Sequence, residues 1–256
     1  MSEGIETQSQ PETITRDLGL EDLRFALSAG FDDFKAKPAF GLFFASIFVV
    51  AGMALTYFLV VRGEYTLAIP VAAGFPLIAP FTAVGLYEVS RRRELRIPTT
   101  WSAILGAVKG RGDEQILAMG VIIFVAFGFW VIVAHAVFAI AVIEAGAGSE
   151  SLAFLTTRDG IAMLLIGTAI GGVMAFAFYA ITVFSLPMLV HREVDFFTAI
   201  ITSLAGFKAN RRILLIWAAS IAFALFVSIV TAFLGLLITL PIFGHATWHL
   251  YRRAIG

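Results

Sequence analysis

From Ile213 to Leu250 the chain carries no Asp, Glu, Lys or Arg. As one straight helix rising about 1.5 Å per residue, such a block would run nearly twice the ~30 Å of a bilayer's hydrocarbon core, so it reads as two spans joined by a tight turn near 231–235. Four further apolar stretches are each long enough to cross: 39–61, 67–89, 115–143 and 161–190. The expectation is therefore six spans. Composition agrees, with 59% hydrophobic and 14% charged residues, where a soluble domain carries about a quarter charged. The second span is interrupted by Pro70, Pro76 and Pro80. Each proline frees a backbone carbonyl that must find a partner inside the protein or line a cavity.

Lys and Arg set the expected orientation. In a six-span arrangement sixteen of the eighteen fall on one side, including Arg91, Arg92, Arg93, Lys109, Arg111, Lys208, Arg211, Arg212, Arg252 and Arg253, while Arg62 and Arg158 fall on the other. An excess of basic residues marks the cytoplasmic side, so both termini are expected in the cytoplasm. The first 38 residues lack the basic stub and apolar core of a secretory signal. Residues 1–18 read as a polar, disordered arm, and 19–256 as one helical membrane domain.

An internal repeat organises that domain. FKAKPAF at 34–40 resembles FKANRRI at 207–213, and APFTAVGLYEVSRR at 79–92 resembles LPIFGHATWHLYRR at 240–253. A weaker middle copy starts at WSAILGAVKG (101–110) and closes at LPMLVHREV (186–194). The fold expected is all-α: three parallel two-helix units, approximately 19–96, 97–193 and 194–256, each opened by a short amphipathic cytoplasmic helix. Leu20, Leu23, Leu27, Phe31 and Phe34 form the apolar stripe of the first such helix, and Phe197, Ile201, Leu204 and Phe207 that of the third.

The segments GLYEVSRRRE (85–94), WSAILGAVKG and SLPMLVHREVDFFTAIITSLAGFKANRR (185–212) resemble a bacterial family of integral membrane proteins, domain of unknown function 2189. The resemblance covers most of the chain beyond the polar N-terminus and implies a multi-pass helical membrane protein. Some members are labelled as related to cytochrome c oxidase subunits. No activity or ligand set accompanies the family.

The side chains able to carry chemistry are few. With no cysteine, disulfide and thiolate chemistry are excluded. His245 and His249 lie four apart on one helical face, a spacing that suits either a ligand pair or two interfacial imidazoles beside the anchoring Trp248 and Tyr251. His135 falls near the middle of the third span, where an imidazole is expected to face protein or a wet cavity. Its pairing with His245 is the one transmembrane arrangement suited to haem, and His135, His245 and His249 are the candidate haem or metal ligands. Glu88 sits three and four residues before Arg91 and Arg92, placing an ion pair or a carboxylate lining a pathway at the foot of the second span. Gly167 and Gly171 have the spacing that lets helices approach closely. The loop around 146–150 lacks the Lys–Ser/Thr ending of a phosphate loop.

These observations point to a non-enzymatic inner-membrane protein, an accessory, assembly or scaffold component, without a cofactor. A small-solute or ion transporter with a pathway near the proline-broken second span is the alternative, and a haem- or metal-binding membrane protein the third. The expected partners are membrane lipids and a membrane protein or a second copy of the chain, not nucleic acid.

Overall fold

The computed structural model describes residues 13–58, 65–107, 114–145 and 156–255, with side chains at all of these except 65–78, 80, 138 and 141–145. Arg62, Lys109, Arg111 and the loop 146–155 lie outside the described residues, as do the side chains of Pro70, Pro76 and Pro80. Among the described residues the chain is all-α: α1 (Leu20–Ala36), α2 (Pro38–Thr56), α3 (Tyr65–Glu94), α4 (Trp101–Gly106), α5 (Gln115–Ala145), α6 (Arg158–His191), α7 (Phe196–Ala209), α8 (Arg211–Val230) and α9 (Leu236–Ala254).

Local chemistry explains the helix boundaries. The Gly19 amide donates to Asp22 Oδ2 at 2.7 Å, and Glu21 and Asp22 in the first turn of α1 with Lys35 in its last complement the helix dipole. Pro38 takes the first position of α2, where a missing N–H costs nothing. Thr157 caps α6 through Gly160 N at 3.1 Å, and Asp195 caps α7 through Thr198 N at 2.9 Å. Between α8 and α9 the chain reverses at 231–235 through two successive left-handed residues, Ala232 and Phe233, with φ of 53° and 65°. The Phe233 ring packs over Gly52 of α2, where a Cβ would lie 2.5 Å from it. Burial with Phe48, Val49 and Leu236 offsets a backbone conformation that costs on the order of 1 kcal/mol per residue.

The expected six spans, arranged as three two-helix repeats, are not what the fold contains. Among the described residues four helices are long and apolar enough to cross a membrane: Pro38–Thr56, Gln115–Val137, Arg158–His191 and Arg211–Val230. α3 and α9, where the second and sixth spans were expected, are not among them. For α9 the reason lies in its C-terminal half, which carries His245, His249, Arg252 and Arg253, whereas most side chains of the expected second span, 67–89, lie outside the described residues. The three units are therefore not equivalent. α5 and α6 carry Asp, Glu, Lys or Arg only in their first or last turns, whereas α8 is paired with a helix whose second half is polar and enclosed.

α9 is the pillar of the molecule. Its closest partner is α1, and α2, α3, α6 and α8 also pack on it. His245, Ala246, Trp248, Leu250, Tyr251 and Ala254 are all fully buried. On α1 the face turned to α9 is Leu23, Ala26, Gly30 and Asp33. Gly30 lets the backbones touch, since a Cβ there would lie 2.6 Å from the Ala246 amide nitrogen and 2.7 Å from the Ile242 carbonyl oxygen. Segments near both ends of the described chain meet beside this pair: Ile14 bridges Ile255, and the Thr15 amide donates to the Ala254 carbonyl at 2.9 Å.

Candidate functional site

The C-terminal halves of α3 and α9, with α1 laid across them, gather most of the buried polar side chains among the described residues. Glu88 is almost fully buried and accepts from Arg91 Nε at 2.6 Å and Nη2 at 2.7 Å on one side, and from Arg92 Nε at 2.6 Å on the other. Arg92 Nη1 also donates to the Pro98 carbonyl at 2.7 Å. Both partners come from the same helix at the i+3 and i+4 positions, so this cluster secures the end of α3 and the turn after it. Burying a carboxylate is costly unless partners of this kind are present.

The two histidines of α9 point to different places. His245 is fully buried, and its Nδ1 lies 2.8 Å from the equally buried Ser90 hydroxyl of α3. Its Nε2 has no hydrogen-bond partner among the described residues. His249 donates from Nε2 to Asp33 Oδ2 of α1 at 2.8 Å, with its ring edge-on to Phe25. The other Asp33 oxygen accepts from Arg93 Nη1. Asp33 thus joins α1 to α3 and α9 at one carboxylate. Burial acts to raise its pKa, but hydrogen bonding by His249 and Ser90 and the nearby imidazoles outweigh burial and hold it below the ordinary carboxylate value.

A second group of ties surrounds the end of α9. Trp248 Nε1 donates to Glu94 Oε2 and Arg252 Nε to Glu94 Oε1, each at 3.1 Å. His191, at the end of α6, places Nδ1 2.9 Å from the Tyr251 hydroxyl and Nε2 3.1 Å from Arg252 Nη1. Arg253 pairs with Asp22 and stacks over Phe25. Between the two groups lies a cleft of about 570 Å³, lined by Phe25, Asp33, Arg93, Glu94, His249 and Arg252 among others. Among the described residues no three His, Asp or Glu side chains converge as metal ligands. What this arrangement does chemically is hold three helices together by charge and hydrogen bonds at one end of the bundle.

The remaining sequence candidates lie elsewhere. His135 is exposed on α5 and donates from Nδ1 to the Val131 carbonyl of its own helix at 2.8 Å, away from the buried His245. Gly167 and Gly171 face α5, where a Cβ would lie 3.9 Å from Val137 and 2.8 Å from the Trp130 ring respectively. Sequence reasoning passed over Asp33, Ser90 and His191. Asp33 had one legible signal, its position on the same face as the small residues Ala26 and Gly30.

The charged cap and the apolar helices below it together describe a multi-pass integral membrane protein. Residues 68–191 match a family model described as a predicted integral membrane protein, DUF2189. No curated protein and no solved structure matches the chain. The match runs from α3 to the end of α6, so it includes Glu88, Ser90 and His191 but leaves out α1, α7, α8 and α9. The resemblance seen at 185–212 therefore extends mostly beyond the matched segment, and the DUF2189 match itself carries no ligand or activity for the polar cap.

Proposed function

We propose that the protein is a non-enzymatic component of a bacterial inner membrane, accessory, assembly or scaffold in kind. The observation that carries this reading is the use made of the polar side chains at the α1–α3–α9 end. Glu88, Asp33 and Glu94 are each engaged by an arginine, and His249 and His191 bond to side chains of other helices. They serve as fastenings, which suits a protein whose role is to hold a shape. Cytoplasmic termini are supported by the meeting of Ile14 with Ile255 beside Arg252 and Arg253, since basic clusters mark the cytoplasmic side. The outward faces of α5 and α6, with Ile132, Leu165 and Val173 exposed, are the surface offered to lipid and to a membrane-protein partner or a second copy.

The test combines two measurements on the full-length protein. Photocrosslinking from Leu165 and Val173 in intact membranes is expected to give discrete protein–protein adducts. Reconstituted vesicles loaded with a panel of ions and small metabolites are expected to show no flux that depends on Glu88 or His135. Selective loss of a reproducible flux in Glu88→Gln or His135→Phe would replace this reading with transport. A chromophore or stoichiometric metal lost on replacing His245 and His249 would replace it with ligand binding at those imidazoles.

A further inference from the structure

Where α3, α4 and α6 meet, the Glu88 cluster borders a cavity of about 260 Å³, distinct from the cleft beside Asp33 and lined by Glu88, Arg91, Arg92, Ala103, Gly106 and Val190 among others. Glu88 engages only part of the two guanidiniums. Arg91 gives it Nε and Nη2, and Arg92 gives it Nε while Nη1 goes to the Pro98 carbonyl. Arg91 Nη1 and Arg92 Nη2 donate to none of the described residues. Both can be reached from outside: among the described residues, the buried side-chain nitrogens and oxygens that are closed to solvent and without a partner are Thr82 Oγ1 and His245 Nε2. Counted as ions, two arginines against one carboxylate leave the cavity with a positive charge in excess. The α4 wall is built from small residues, and a Cβ added at Gly106 would meet nothing within 4 Å.

Position decides which anion meets that charge. Val190 lies in the last turn of α6, one of the helices long and apolar enough to cross a membrane. α4 sits beside the start of another, with the Trp101 ring 4.3 Å from Phe40 and 5.2 Å from Phe43 of α2. The cavity therefore stands level with the ends of two crossing helices, where lipid headgroups lie. On α4 and in the turn before it, Leu95, Ile97, Trp101 and Leu105 are all exposed. Apolar side chains of this kind suit a segment lying in the interface, and tryptophan is a usual anchor there.

At that level the abundant anion is the phosphate of a phospholipid. Excess positive charge favours a headgroup with net negative charge and disfavours the ammonium of a zwitterionic one, as in basic pockets between membrane helices. The volume is just below the about 300 Å³ at which sites for whole small molecules begin, so it suits a headgroup whose acyl chains stay outside in the bilayer. We infer that this cavity holds the headgroup of one anionic phospholipid, its phosphate accepting from Arg91 Nη1 and Arg92 Nη2.

The experiment is equilibrium binding of radiolabelled dioleoyl phosphatidylglycerol to the purified full-length protein in a non-ionic detergent. Saturable binding near one molecule per chain is expected, with dioleoyl phosphatidylcholine held about 10-fold more weakly. Arg92→Gln should weaken phosphatidylglycerol binding by about 10-fold, the loss of one charge-assisted hydrogen bond. Should Arg92→Gln unsettle the turn that Arg92 holds, Gly106→Glu places a carboxylate in open space on the cavity wall. It should weaken binding at least as much while the protein keeps its elution volume and helical content. A large excess of inorganic phosphate should displace little of the lipid. Absence of saturable binding, equal affinity for phosphatidylcholine, wild-type affinity in a folded Gly106→Glu, or full displacement by inorganic phosphate, which would make this a site for the free anion, would each overturn the assignment.

Discussion

The α1–α9 pair and the α5–α6 hairpin are both long helix–helix contacts, but different forces hold them. At α1–α9 the backbones touch at Gly30, the flanking side chains are small and buried, and the contact ends in a carboxylate bonded to an imidazole and a guanidinium. At α5–α6 the contact is a glycine against the Trp130 ring, and most of both helices is open, with none of the most apolar window of α6 buried. The first contact has no slack, because its nearest neighbours are backbone atoms. The second can adjust by moving a side chain. In a membrane, where lipid satisfies apolar surface as well as protein does, the polar and tightly packed contact is the one that specifies the fold.

The largest expected effect separates the two contacts directly. Gly30→Val should destabilise the protein by about 3 kcal/mol, the upper part of the overpacking range, because neither Ala246 N nor Ile242 O can retreat. Gly128→Val on α5, where nothing lies within 4 Å of the added carbon, should stay within about 0.5 kcal/mol. Thermal unfolding of the two purified variants measures this contrast, and equal losses would break it.

Next comes the carboxylate. Asp33→Asn should cost about 2 kcal/mol, since it leaves the Arg93 and His249 donors facing a neutral amide. The pH dependence follows from the lowered Asp33 pKa. Because the native value lies below the ordinary 3.8, Asp33 contributes its stability in full above 3.8 and loses it as the pH falls through the native value. Acid titration of unfolding should therefore be shallower in Asp33→Asn than in the wild type below pH 3.8, with no such difference near neutrality.

Gly171→Val should cost about 1 kcal/mol, because the atom in its way is the edge of the Trp130 ring, which can turn aside. The neighbouring Gly172→Val, with nothing within 4 Å, serves as its control. Smallest of all, His135→Phe should change stability by less than about 0.5 kcal/mol, since the imidazole is exposed and bonds only within its own helix. A loss above 2 kcal/mol on unfolding His135→Phe would show that this face of α5 is engaged in the folded protein.

These contrasts also explain what could be read from the sequence. The apolar runs that became α2, α5, α6 and α8, and the reversal at 231–235, were legible because length and absence of charge are local properties. Glu88 with Arg91 and Arg92 was legible because helical spacing alone brings them together. The role of α9 was not. Its polar second half made sense as an interfacial end of a span until α1 was laid over it, and the bond that joins them links residues 216 positions apart. His135, expected to face protein or a wet cavity, is exposed on α5, and an all-round apolar helix has no periodic signal to show which face turns inward. The motif likenesses that suggested three equivalent hairpins gave no sign that α9 is a polar, enclosed helix, and the fold does not contain those repeats.

The central claim is that the Asp33–His249 contact fastens α1 to α9. A double-mutant cycle on Asp33→Asn and His249→Gln, followed by equilibrium unfolding, tests it most directly. The account predicts a coupling of about 1–2 kcal/mol, with the double variant hardly less stable than the worse single one, as expected for a buried, charge-assisted bond. Strictly additive losses would mean that the two side chains stabilise the protein independently, and would contradict it.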